Sequence, residues 1–364
     1  MLLRTTLSAA ALALLLVACG GGNDYERLVS FGDSLSDVGS YRTPGIASVG
    51  GGKYTVNGTG NKIWVEHIAD AAGLPAPCAA QTGLNASGPL EAFAAPVQNN
   101  PGCTVYSQGG SRVTDPIGPA NAALTASPDP AVAAQGLLGQ LTVPLVTQVA
   151  NHLSTHGSFR RDDLVLVLAG GNDLFMLSGA IPARVAELAP TLGVEAATQQ
   201  AAGEAVEAMG VAGGELANLV RTQVLARGAR RVVVVNLPNV GLTPSSIGQG
   251  PQAQALASAM SQAFNSQLAA GLANVRGVLL VDAYTRGTTQ ATDGTFTNAT
   301  TPACDTASPL NPLQGSSLTC TTASTLTGVD VSRYAYADSV HPTPYAHRLL
   351  ADFVEQEMRR VGWF

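Results

Sequence analysis

The chain has 364 residues, 46% of them hydrophobic and 12% charged, with a net charge of −6. This is ample material for a packed core. Acidic and basic residues are scattered, which leaves no basic stripe for nucleic acid and no polybasic patch for a membrane surface.

The first element in chain order is an export signal. Arg4 supplies a short positive region, and Leu7 to Ala18 is an apolar stretch about a dozen residues long, short of the ~20 that a membrane-spanning helix requires. It ends in Leu16, Val17, Ala18 and Cys19. That pattern resembles a bacterial lipobox, in which the cysteine is lipidated and becomes the new N-terminus. Residues 1–18 are therefore expected to be a signal peptide and 19–27 a lipidated tether, flexible at Gly20 to Asn23. Gly20 stands where an aspartate would signal inner-membrane retention, so the expected location is an outer-membrane lipoprotein on its periplasmic or surface face. No later apolar run is long enough to span a bilayer. The length of the remainder permits one large domain or two smaller ones, and one is expected.

Leu28 to Phe31 is a short apolar run closed by Gly32 and Asp33, which reads as a buried strand ending in a turn. Leu164 to Leu168, Val232 to Val235 and Val278 to Val281 read the same way. The β-branched run at 232–235 suits a sheet buried on both faces. Between these strands lie helical patterns: Leu145, Val146, Val149 and Leu153 share one face, as do Leu216, Leu219, Val220 and Val224. Leu256, Met260, Phe264, Leu268 and Leu272 recur every four residues. The last helix has Thr343 as its cap, Pro344 in its first turn, and Leu350, Phe353, Val354 and Met358 on its inner face. Alternation of this kind predicts an α/β fold, a parallel sheet with helices on both faces and functional groups at the carboxyl ends of the strands. Two stretches break it, Tyr41 to Gly139 and Thr285 to Asp330. Both are expected to be long loops that wall a pocket.

After Cys19 four cysteines remain: Cys78, Cys103, Cys304 and Cys320. An even number in an exported chain predicts two disulfides. Of the three possible pairings, Cys78 with Cys103 and Cys304 with Cys320 are favoured, because each would staple a loop-rich stretch. No C-x-x-C spacing and no nearby histidine supports a metal site.

Ser34 follows the first strand in Phe31-Gly32-Asp33-Ser34-Leu35-Ser36-Asp37. A hydroxyl is a weak nucleophile unless a base lies within hydrogen-bond reach and a third group orients that base. Asp338-Ser339-Val340-His341-Pro342 offers both, since an aspartate three residues ahead of a histidine can hold its Nδ1 hydrogen and leave Nε2 free. His67, His152 and His156 read as surface or satisfied helix positions, and His347 as a residue that helps position the last helix. Asn172, in Gly170-Gly171-Asn172-Asp173, carries a neutral amide donor. Gly110, in Gln108-Gly109-Gly110-Ser111, offers a backbone N–H. Each of these alone is also what a strand-end turn requires.

In this order the four blocks resemble the GDSL family, also called SGNH hydrolases. FGDSLSDVG at Phe31 to Gly39, GGND at Gly170 to Asp173, and DSVHP at Asp338 to Pro342 carry the resemblance, together with the stretch Asn236 to Pro244 and HPTPYAHRLLA. The glycine block departs from the family form, with Val105, Tyr106, Ser107 and Gln108 leading into Gly109 and Gly110. Gly110 is preferred to Gly109 as its functional glycine. The resemblance implies a flavodoxin-like three-layer sandwich, with 28–364 as the SGNH hydrolase domain. It implies a serine esterase or lipase acting on acyl esters or lipids, with Ser34 as nucleophile, His341 as base and Asp338 as its partner. Ser34, Gly110 and Asn172 would form the oxyanion hole, with no metal and no organic cofactor.

The loops flanking the site are apolar rather than aromatic, which favours acyl esters or lipids. A carbohydrate O-acetyl esterase is the runner-up, with Tyr54, Trp64 and Tyr106 as its platform. An acyltransferase and a non-catalytic lipoprotein on the same fold remain further alternatives. Competing motifs fail: Gly50-Gly51-Gly52-Lys53 is followed by Tyr54 where a phosphate loop needs Ser or Thr, and no G-x-S-x-G elbow surrounds Ser34.

Overall fold

A computed structural model describes residues 25–364. Cys19 and the expected signal peptide lie outside the described residues. Of the expected tether only Tyr25 to Arg27 are described, and these are docked. Tyr25 is buried and its hydroxyl donates to the Trp363 carbonyl.

The sheet is parallel and four-stranded. In chain order its strands are β1 (Arg27–Gly32), β4 (Asp163–Leu168), β5 (Arg231–Val235) and β6 (Val278–Val281), and they lie side by side in that order. β2 (Gln81–Leu84) and β3 (Ala95–Asn99) form a separate antiparallel pair. All six residues of β4 are buried. Such a strand has a core on each face, which is why it reads as a continuous apolar run rather than an alternating one. Phe31, Val165, Val167, Val232 and Val234 face one core; Leu28, Leu164, Leu166, Leu168, Val233 and Val235 face the other.

The first core is covered by α4 (Leu145–His156), α6 (Val194–Leu219) and α8 (Pro251–Leu272), and the second by α2 (Trp64–Ala71) and α10 (Pro344–Arg360). The result is the three-layer sandwich expected from the alternation of strands and helices. α10 begins as its sequence predicts: Thr343 Oγ1 accepts the Ala346 N–H, and Pro344 occupies the first helical position.

The stretch Tyr41 to Gly139 is more ordered than expected. It holds α1 (Pro44–Ser48), α2, the β2–β3 pair and α3 (Pro130–Gly136). α2 is a full member of one layer, with Trp64, Val65 and Ile68 at 0% exposure. Its eight residues are too few for a clear helical stripe amid so much Gly, Pro and Ala. Gly171 to Leu219 was legible only at its end, yet it forms two long helices, α5 (Gly171–Leu192) and α6. The buried face of α6 consists largely of small residues, Ala197, Ala201, Ala205 and Gly213 among them, and α5 carries Pro182 and Pro190 within it, so neither shows an unbroken helical pattern. α7 (Pro244–Gly248) and α9 (Ala283–Gln290) complete the α-helices of the described residues.

Disulfides join Cys78 to Cys103 and Cys304 to Cys320. The first sits beside a short parallel bridge between Val105 and Ser30 on the free edge of β1. That bridge brings the glycine block alongside the serine block, and the Gln108 N–H donates to the Gly32 carbonyl at 3.1 Å.

Candidate active site

The carboxyl ends of β1 and β4 place the first two blocks. Ser34 follows β1 on a single tight turn that Asp33 caps through the Leu35 N–H at 3.0 Å. Asn172 stands in the first turn of α5, just after β4. The Asp338–His341 loop, directly before α10, swings over Ser34. His341 Nε2 lies 2.8 Å from Ser34 Oγ, although the two residues are 307 positions apart. His341 Nδ1 is 2.9 and 2.8 Å from the two oxygens of Asp338.

Asp338 is buried, and its carboxylate also accepts the N–H groups of Ser317, Val340 and His341 at 2.7 to 2.9 Å. Burial alone would push its pKa up; the charge and hydrogen bonds of His341 and Ser317 outweigh that and hold it well below the usual carboxylate range. It is built to stay ionised. Asp33 is the contrast, because burial pushes it up to about 7 and the Leu35 N–H only partly offsets that.

Asn172 Nδ2 donates one hydrogen to the Ser111 carbonyl at 2.9 Å, which leaves the second amide hydrogen available. Asp173 ties the same block to the segment after Gly110, accepting from Arg112 Nε and the Val113 N–H, each at 3.1 Å. The Gly109 N–H is engaged by Asp37 at 3.0 Å. Among the described residues no protein acceptor meets the N–H of Gly110 or of Ser34. Gly110 is buried beside Pro119, which lines the cavity described next.

A cavity of about 880 Å³ opens from Ser34, Asn172 and His341. Its walls are mostly apolar, with Leu124 and Val132 from the first long connection, Phe175 and Met176 from α5, Leu237 and Val240 after β5, and Phe296 from the second connection, and with Asp129, Gln135, Asn239, Arg286 and Gln290 among the polar residues between them. Tyr54, Trp64 and Tyr106 do not line it. Trp64 is wholly buried and donates to Ser36 Oγ at 3.1 Å, Tyr106 stacks on Phe31, and Tyr54 packs beneath His341 with ring centroids 4.7 Å apart. These three rings, the alternative platform for a carbohydrate, therefore build none in the cavity.

A family model for GDSL-like lipases and acylhydrolases matches residues 28–354. The chain belongs to this family. No curated protein matches it in sequence. Membership supports a general ester-hydrolase function and agrees with the central parallel sheet and its flanking helices.

Sequence reasoning missed several residues that hold the site. Gln148, from α4, accepts the Gly32 N–H at 2.9 Å and donates to the Gly32 carbonyl at 2.8 Å, bracing the end of β1. A polar residue on the inner face of an apolar helix was the available signal. His152 on the same helix corrects the reading of a surface or satisfied histidine: it is 0% exposed and neither ring nitrogen has a hydrogen-bond partner. It lies flat on Phe159 and edge-on to Phe31 and Tyr106, and burial lowers its pKa to about 3. His347 is likewise buried without a partner, so it supports α10 by packing alone.

Proposed function

We propose that this chain is an exported carboxylic ester hydrolase that cleaves acyl esters through an acyl-enzyme. The observation that carries the reading is the continuous Asp338–His341–Ser34 hydrogen-bond chain at the polar end of a large apolar cavity. His341 Nε2 takes the Ser34 proton as Oγ attacks the ester carbonyl carbon, and passes it to the leaving oxygen as the ester C–O bond breaks and the alcohol departs. A water then gives a proton to His341, its oxygen attacks the acyl carbon, and the acid leaves as Ser34 regains its hydrogen. Asp338 stabilises the imidazolium throughout. The negative oxygen of each tetrahedral intermediate is met by the Ser34 and Gly110 N–H groups and the free Asn172 amide hydrogen, where one well-placed donor contributes ~3 to 4 kcal/mol.

The aliphatic and phenyl walls are the larger part of the lining and favour an alkyl acyl chain over a sugar. The two disulfides agree with an oxidising compartment, and with Cys19 lipidated the enzyme would work tethered at the bacterial cell envelope, close to lipid esters.

The test is hydrolysis of p-nitrophenyl esters from acetate to palmitate by wild type and Ser34→Ala. We expect the variant to lose activity by several orders of magnitude. In the wild type, kcat/KM should climb about fourfold per methylene until the cavity is filled, the equivalent of ~0.8 kcal/mol for each buried CH₂. A maximum at acetate would contradict the acyl-chain assignment.

A further inference from the structure

Gly109 is held at both ends of its backbone. Its N–H donates to Asp37 at 3.0 Å, and its carbonyl accepts the Tyr41 hydroxyl at 2.7 Å. The Gly109 carbonyl and the Gly110 N–H belong to one peptide unit, and the described residues contain no cis peptide bond. In a planar trans unit the C=O and N–H point in opposite directions, so whatever anchors that carbonyl also aims the Gly110 N–H.

The anchor is itself constrained. Tyr41 is 0% exposed, and its hydroxyl oxygen accepts the Thr142 N–H at 3.2 Å. With Thr142 on the oxygen, the single hydroxyl proton is left for Gly109. Burial pushes the Tyr41 pKa far above the ordinary tyrosine range, so the group remains a neutral donor at any working pH. Asp37, also wholly buried, accepts the Gly39 and Ser40 N–H groups as well as that of Gly109, linking the serine block to the glycine block.

Neither glycine can be replaced freely. A Cβ at Gly109 would meet the Tyr54 ring at 2.5 Å, and the same ring packs against His341. Gly110 has φ +79°, in the left-handed region, and a Cβ there would meet Thr142, Gln140 and the Pro119 carbonyl at 2.6 to 2.7 Å.

We infer that Tyr41 is a positioning residue for catalysis: acting through the Gly109 carbonyl, its hydroxyl holds the Gly110 N–H in the direction of the oxyanion. The inference rests on the ester-hydrolase reading above, with Gly110 as one oxyanion donor. Tyr41 does not touch substrate. It fixes the orientation of a group that does, so its loss weakens the transition state more than the ground state.

The experiment compares wild type, Tyr41→Phe and Tyr25→Phe on p-nitrophenyl butyrate, with melting temperatures and the affinity of a trifluoromethyl ketone that forms a tetrahedral adduct with the serine. Tyr25→Phe is the control, because it removes another buried hydroxyl bonded to a backbone carbonyl, at the distant Trp363. For Tyr41→Phe we expect kcat to fall at least about fivefold and on the order of tens, with KM within about twofold and ketone affinity falling in parallel. The control should keep wild-type kcat. A smaller loss of kcat in Tyr41→Phe, a loss carried by KM, an unchanged ketone affinity, or an equal loss in Tyr25→Phe would overturn the inference alone. A wild type that turns over no ester would overturn the ester-hydrolase reading, and this inference with it.

Discussion

Asp338 and Asp33 lie within the same site and are driven in opposite directions. Asp338 gathers donors from Ser317, Val340 and His341 and stays ionised, whereas Asp33 has one backbone donor against complete burial. His152 extends the contrast to a base. Burial lowers it to about 3 from an ordinary value of 6.5. The unfolded chain therefore takes up this proton as pH falls through 6.5 while the native state does not until about 3. The sign follows directly: stability is fully present above pH ~6.5 and is lost as the medium is acidified toward 3. Asp33 works the other way, since it is protonated in the native state up to about 7 and ionised in the unfolded chain above 3.8. The histidine contribution is isolated by comparing wild type with His152→Leu in urea titrations at pH 7 and pH 5. We expect the wild type to lose on the order of 1 kcal/mol more than the variant between the two. Equal losses would contradict a neutral buried His152.

At the scale of elements, the Cys304–Cys320 disulfide lies in a segment bonded to the Asp338–His341 loop. Ser317, three residues before Cys320, gives its N–H to Asp338, and the Cys304 and Ala303 N–H groups bond to the carbonyls of Ala337 and Tyr336. The bridge thus braces the strip of chain that carries Asp338. Opening a bridge that closes a loop of this length costs ~3 kcal/mol in the chain-entropy picture. Cys304→Ser with Cys320→Ser should lower the melting temperature and lower kcat more than it raises KM; an unaltered kcat would show that Asp338 is held without the bridge. The same strip shows what was legible in the sequence. Asp338 and His341 are three residues apart, so their pairing is local and could be read. Ser317 meets them only through tertiary packing, and nothing in its neighbours marks it. Strands β1, β4, β5 and β6 were legible because burial on both faces demands unbroken apolar runs. Helices α5 and α6 were not, because Pro182 and Pro190 interrupt the pattern of α5 and small residues such as Ala197, Ala201 and Ala205 make up much of the buried face of α6.

The whole molecule turns this layered core into a site by bringing chain ends of strands together. Ser34 after β1, Asn172 after β4, Leu237 after β5 and Ala283 after β6 all border one cavity, while α10 and its preceding loop deliver His341 from the far end of the chain. The order of the four blocks was legible in the sequence. The cavity was legible only as two apolar connections of unknown path, since its shape depends on how 119–135 and 291–299 fold back over α5. The packed positions of Tyr54, Trp64 and Tyr106 were likewise hidden, because composition counts aromatic rings without saying which face a core and which face a ligand.

Fluorophosphonate labelling of the protein, followed by peptide mass spectrometry, asks whether Ser34 is a nucleophile activated by His341. We expect a single phosphonyl adduct on Ser34, formed in step with loss of esterase activity, absent from Ser34→Ala and formed at least about a hundredfold more slowly in His341→Ala. An unlabelled Ser34 in a preparation that turns over ester, or labelling of equal rate in His341→Ala, would rule out a His341-activated Ser34.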